Sequence, residues 1–390
     1  MIGQQWQIPI FSKEEGERRH RKIREGMASR GIDCLIISGH LGMYRSQAAD
    51  LRYVCNYCTW GDGEHVVFPL KGEPVRFTWS SSKEFWAKKV SWIPVKISAK
   101  TKEGRDYAGD ISAKIKELGL EKGTLGIVNT HNMPVDLYLK LRENLPHAKF
   151  ESARDILIEC RIIRSAEELE FVRKSGECGD RAIEAIVRTA RPGVDDYALT
   201  AECEAAMIRS GGESGNFLLI DSGPWAERRI SMREGGTYRK LQQGDIILTE
   251  LTPNYGGYTV QVLRPISLGK PPDDFMRLYD LHCELYEIVR RELRPGNTKD
   301  AITAQLGEFA SKKGDFSWVW ALQDVDMSEV SRGVLPGEGE LKPGMVITNH
   351  PSTTYRSGQG HSGHLFGDSY IITEGEPECT SKLPHQVFVV

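Results

Sequence analysis

Residues 244–264 read GDIILTELTPNYGGYTVQVLR, and this stretch decides the fold. GDIILTEL and YTVQVLR are apolar enough for strands. Asn254, Gly256 and Gly257 between them supply turn chemistry. The segment is expected to be a β-hairpin. A turn centred on Tyr255–Gly256 puts Glu250 directly opposite Gln261, with both side chains on one face. Each is a polar residue on an otherwise apolar strand, so the pair is a candidate site. A buried carboxylate facing an amide can serve as acid or base.

Outward from the hairpin, the chain repeats itself. A long helix is expected from about Ser165, opened by the capping box SAEE. Ile183, Ile186, Val187 and Ala190 lie on one of its faces. It stops at Arg191-Pro192-Gly193, and a second helix carries Tyr197, Ala201 and Ala205 on one face. Later come a helix over 276–293, Arg294-Pro295-Gly296, and a helix over 299–312. A duplicated helix–RPG–helix unit is the mark of an internally two-fold fold. A second strand pair, MVITNH (345–350) and LFGDSYIIT (365–373), flanks a Gly/Ser-rich loop with His361 and His364.

The first part of the chain alternates differently. Residues 13–30 read as a charged surface helix ending at Gly31, and CLIIS (34–38) as a buried strand. Strand-like segments recur at Tyr53–Tyr57 and His65–Pro69. Residues 109–119 are helical, and TLGIVN is a strand. This is an α/β pattern. The domains are read as 1–157 and 158–390.

The chain has 390 residues, 39% hydrophobic and 27% charged, with a net charge of −3. That is the composition of a two-domain globular protein. It gives no reason to expect nucleic acid or a membrane surface as partner. No run approaches the ~20 apolar residues of a membrane span. The first residues lack the apolar core of a signal peptide. Eight scattered cysteines fit a reduced, cytoplasmic setting. Cys55 and Cys58 form the one close pair; without a second pair at zinc spacing they read as buried small residues.

In order along the chain, these segments resemble the creatinase and aminopeptidase P family. The opening EEGERRHRKIREGMASRGIDCLII resembles the start of the family's N-terminal domain. The linker and first helix (DILIECRIIRSAEELEFVRKSGECGDRAIEAI), RPGVDDYALTAECEAAMIRSGGE, the hairpin, LKPGMVITNHP and DSYIITEGEPE follow in family order. The resemblance implies an α+β fold: a pita-bread C-terminal domain behind a smaller creatinase-type α/β domain. It also implies a homodimer whose N-terminal domain reaches the partner's cavity.

The family's metallopeptidases hold two divalent ions with two Asp, one His and two Glu. Here those positions fall at Glu250, at Gln261, near Trp320 or Ala321, at His350 and at Gly367. One carboxylate cannot offset two divalent ions, so no metal cofactor is expected. The alternative is a single divalent ion held by three of His350, His361, His364, Asp368 and Glu250. The resemblance to metal-free creatinase also breaks. Its catalytic His position falls in ISMREGGTYRKL, which has none, and its second-strand Glu falls at Leu263. His282 is the one histidine between positions 148 and 349, and it sits in an amphipathic helix.

The expected function is metal-independent hydrolysis of a C–N bond in a small, cationic, amino-acid-like, amine or guanidino compound. His350 would be acid/base, with Glu250 assisting and His364 and Asp368 as further catalytic candidates. Tyr258, Gln261, Arg264, Trp320 and His361 are candidate binding residues. Trp60, Asp62 and Glu64 form an aromatic and acidic turn suited to a cationic group on the partner's substrate. Arg264 also suits a structural role. The flanking Asp324 and Asp326 read as solvated. Three alternatives remain: a lyase related to the family's dimethylsulfoniopropionate lyases, an Xaa-Pro-type metallopeptidase with an atypical metal site, and a non-catalytic binding module.

Overall fold

The computed structural model describes residues 9–39, 49–56, 64–102, 104–128, 130, 133–215, 218–225, 238–318, 322–326, 329–331, 339–355 and 362–390. Within these, 323–326, 329–331, 355 and 362–364 are described by their backbone alone. The chain divides into two compact units, Met1–Arg161 and Ile162–Val390, a division that falls inside the helix Arg154–Ile162. That is later than the boundary at residue 157 suggested by sequence.

The first unit is a six-stranded sheet. Its order is Val95–Ile97, Val75–Thr78, Glu64–Pro69, Cys34–Gly39, Thr124–Val128, Lys149–Ser152. Cys34–Gly39 is central and buried throughout, as an uninterrupted apolar run requires. Ile111, Ile115, Leu137 and Leu141 of two helices cover one face. Ser12 caps the helix Lys13–Ser29. That helix is less superficial than its charge suggests. Glu15 and Arg19 are buried as a pair, and Arg19 lies over the Phe11 and Tyr53 rings.

Tyr53–Cys55 belongs to a helix, Ala49–Cys55, and not to a strand. A short buried apolar run has no periodicity to tell the two apart. Asn56 ends the helix with φ +70°, and its side chain bonds the Phe11 backbone N–H (2.8 Å) and carbonyl (3.2 Å). Cys55 is fully buried; Cys58 lies outside the described residues.

The second unit is built around a ten-stranded sheet. Its main path runs Glu329–Ser331, Leu322–Asp326, Val346–Asn349, Gly367–Ile371, Val262–Leu263, Asp245–Leu251, Ile266–Ser267, Phe388–Val389. Helices Ala166–Thr189, Asp196–Arg209, Asp273–Glu292 and Lys299–Ser311 accompany it. The capping box forms as expected, Ser165 with Glu168. Among the described residues, no helix is long and apolar enough to cross a membrane.

The repeat is present in the hydrogen bonds. Gly193 N–H donates to the Leu241 carbonyl, and Gly296 N–H to Leu341 (2.8 and 2.9 Å). Both glycines have positive φ, which is why each RPG ends in glycine. Gly244 N–H donates to Leu268, and Gly344 N–H to Ile372 (2.7 and 2.9 Å). Ile247 pairs with Ile266, and Ile347 with Tyr370. So residue n of the first half matches n + 100 up to the turn, as Leu241 matches Leu341. Glu250 and His350 are therefore equivalent positions in the two halves, as are Arg264 and Asp368.

Candidate active site

The hairpin turns on Gly256–Gly257, both at positive φ, with Tyr255 opposite Tyr258. This moves the turn centre by one residue and corrects the expected pairing by two residues. Leu251 pairs with Val262, so the next pair matches Glu250 with Leu263, and Gln261 sits beside Thr252. The expected contact survives as a diagonal: the Gln261 amide nitrogen donates to Glu250 Oε1 at 2.9 Å. A carboxylate accepts only, which fixes the amide with its nitrogen toward Glu250.

Register then assembles one face of the sheet. Val262 and Leu263 pair with Asp368 and Gly367, and Asn349 with Asp368. One row across four strands is His350, Gly367, Leu263, Glu250. Its ends are three strand spacings apart, about 14 Å along the sheet. The next row is Thr348, Ser369, Gln261, Thr252. Its middle is tied: Gln261 N–H donates to Ser369 Oγ (2.9 Å), and the Thr348 and Ser369 hydroxyls are 2.6 Å apart. His350, Gln261, Thr348, Ser369 and Thr252 are all buried; Glu250 is partly exposed.

Gly367 explains how His350 fits. A Cβ built at residue 367 would lie 2.4 Å from His350 Cβ and 2.8 Å from the Asn349 carbonyl oxygen. No side chain is tolerated there while His350 keeps its place. From behind, His282 ties both flanks: Nε2 donates to the Phe366 carbonyl at 2.9 Å, and Nδ1 accepts from Thr353 Oγ1 at 3.2 Å. Sequence gave no role to this buried histidine.

Strand alternation sends the neighbours of this row to the reverse face. That corrects two assignments. Asp368 was expected beside His350, yet its carboxylate accepts from Arg264 Nη2 (2.9 Å), Tyr286 Oη (2.9 Å) and His385 Nε2 (2.8 Å). Burial raises its pKa, but Arg264 and His385 outweigh burial and hold the carboxyl below its ordinary value. Arg264, fully buried, also donates to the carbonyls of Leu263, Gly367, Leu383 and Pro384, and so is structural.

Two further candidates are committed elsewhere. Tyr258 Oη donates to Glu168 Oε1 at 2.6 Å. Glu64 is not in an open turn. It is 1% exposed in the first unit's sheet and holds Arg76, with Thr78 Oγ1 donating to it at 2.9 Å. Trp60, Asp62, Trp320, Ala321 and His361 lie outside the described residues. His364 ends the strand Ser362–His364, paired with Ser352; its side chain, like those of Asp324 and Asp326, is not among those described.

The donor set decides which metals fit. At the described positions where the resemblance puts the family's two-ion ligands, Gln261 points its amide nitrogen at Glu250 and Gly367 offers no ligand atom. These residues do not fit two divalent ions. Among the described residues, one other cluster has metal-ligand types: Asp368, Cys379 and His385. Arg264 already neutralises that carboxylate, and burial pushes the Cys379 thiol well up, so this cluster does not favour a cation either.

Comparison with known proteins gives the lineage. The creatinase/prolidase N-terminal domain pattern matches residues 19–163, and that of metallopeptidase family M24 matches residues 170–374. Creatinase of Bacillus sp. (strain B-0618) is 24% identical over 391 residues, covering 96% of this chain and 92% of that protein. Ectoine hydrolase of Halomonas elongata is 24% identical over 408 residues, covering 97% and 98%. The X-Pro aminopeptidase structure from Thermotoga maritima superposes with a TM-score of 0.77 at 20% identity, covering 94% of this chain and all of that one. The Xaa-Pro dipeptidase of Bacillus anthracis gives 0.78 at 20% identity, covering 96% and 100%. The chain is thus a pita-bread protein of the creatinase and aminopeptidase P lineage, and it belongs to metallopeptidase family M24.

Proposed function

We propose that the protein is a metal-independent hydrolase of a C–N bond in a small, cationic, amine or guanidino compound. One observation carries this reading. An acid and an imidazole occupy equivalent positions of the two half-domains, at the two ends of one row, with a glycine and a leucine between them. In this reading the substrate lies between the carboxylate and the histidine. Creatinase and ectoine hydrolase, two relatives matched end to end, are named for small-molecule substrates.

In this reading, Glu250 pairs with the cationic end of the substrate. His350 takes a proton from water as its oxygen bonds to the carbon. The C–N bond breaks, and the nitrogen leaves with that proton returned by His350. Trp60 and Asp62 remain the residues assigned to a partner's substrate in a homodimer; Glu64 is withdrawn from that role. The test is turnover after exhaustive chelation, run in ¹⁸O-labelled water. Label in the product without added metal is expected. A strict requirement for a divalent ion, or an unlabelled elimination product, overturns the proposal.

A further inference from the structure

Polar atoms buried without partners are rare in native proteins, because each loses its hydration and gains nothing. Among the described residues, three such oxygens flank the row just described, Gln261 and Thr252 on one side of it and Ser352 beyond His350 on the other. Gln261 Oε1 is one; the side chain is 0% exposed, and its nitrogen is committed to Glu250. Thr252 Oγ1 is another, in a 0% exposed residue next to Gln261 in register. Ser352 Oγ is the third, 1% exposed. Ser352 follows His350 as Thr252 follows Glu250, so the two hydroxyls are counterparts in the repeated halves. A fold that duplicated its acid/base positions has also kept a buried hydroxyl two residues after each one.

The chemistry of these oxygens is unequal. A hydroxyl can donate or accept, so Thr252 and Ser352 suit many ligand groups. The Gln261 carbonyl can only accept. Its orientation is not free, because turning the amide would set oxygen against the Glu250 carboxylate. Whatever lies against Gln261 must therefore supply a hydrogen.

We propose that Gln261, with Thr252 and Ser352, is the specificity set of this site: its carbonyl reads a hydrogen on the substrate nitrogen. The ligands are then primary or secondary C–N compounds, such as secondary amides, amidines and guanidines. Tertiary amides, including the imide bond before proline, are rejected because they leave Gln261 unsatisfied in a dry site. This rests on the hydrolase reading for where the ligand binds, and goes beyond it in stating which nitrogen is accepted.

The full-length protein, treated with chelator, is titrated with two probe pairs by ligand-observed NMR. Glycylglycine is set against glycylsarcosine, its N-methyl counterpart, and methylguanidinium against hexamethylguanidinium, which carries no N–H. At least one N–H probe is expected to bind, and its methylated twin to bind about ten- to a hundredfold more weakly. Gln261→Met should remove that discrimination. Thr252→Val and Ser352→Ala should each weaken the N–H probe about tenfold while leaving Tm unchanged or raised, since each deletes an unsatisfied buried group. Gln261→Leu, which likewise removes the acceptor, should also lose the preference for N–H and serves if Gln261→Met fails to fold.

Equal binding of the twins, no binding by either N–H probe, or a loss of Tm in both hydroxyl variants with affinity intact would each overturn the inference. A probe that binds with the expected preference but is not hydrolysed counts against the hydrolase reading alone.

Discussion

The two faces of the second unit's sheet make opposite use of buried polarity. On the reverse face Asp368, Arg264, Tyr286 and His385 form a network in which the acid meets three donors and the guanidinium five carbonyls or hydroxyls besides. On the front face, Gln261 and the adjoining Thr252 hold oxygens that have no partner among the described residues. The same strands carry both faces, so the difference lies in side-chain choice and not in backbone. Asn349 is the exception on the reverse face: its nitrogen donates to the Tyr286 carbonyl, while its oxygen has no partner among the described residues. In the proposed reading, the saturated groups hold the two halves together and the unsaturated front-face ones serve a ligand.

The largest expected effect breaks the reverse face. Arg264→Met leaves Asp368 buried without its main counter-charge and should destabilise the protein by about 3–5 kcal/mol, measured by urea unfolding. Acid should act on the same network more gently. Because the folded Asp368 carboxyl sits below its ordinary value of 3.8, the folded state binds fewer protons than the unfolded one. Its stabilisation is whole above about pH 4 and is lost as the pH falls through the lowered pKa. Asp368→Asn should flatten that part of the stability–pH curve.

Smaller effects belong to the front face. Gly367→Ala forces a Cβ against His350 and should cost about 1–3 kcal/mol. Turnover should fall further than that loss of stability explains, and its pH profile should shift because His350 is displaced. Least of all, Thr252→Val should leave the unfolding free energy unchanged or raise it by under about 1 kcal/mol. A loss as large as that of Arg264→Met would show that the front face is as structural as the reverse one.

Much of this was legible in the sequence. The two RPG units and the hairpin announced a duplicated fold, and Glu250 and Gln261 do meet. The register was two residues off because NYGG offers two turn centres; two glycines at positive φ select Gly256–Gly257. Asp368 was placed near His350 because both lie in the right strands. A single step of strand alternation sends it to the other face, and a segment as short as FGDS does not reveal which side is which. Ala49–Cys55 hid its helix in a run too short to show a period. Thr252 and Ser352 did leave a signal: the repeat read at the two RPG units also aligns TELT (249–252) with NHPS (349–352), and extending it through the strands finds both hydroxyls.

The duplication has a last consequence. A bed with matching halves would accept a small molecule either way round. Here one half ends in a carboxylate and its counterpart in an imidazole, with leucine facing one and glycine the other. The fold is two-fold while the chemistry on it is polarised from end to end. Under the proposed function, a substrate with unlike ends would be held in one direction only, and the bond that breaks would be chosen by which half of the domain each end meets.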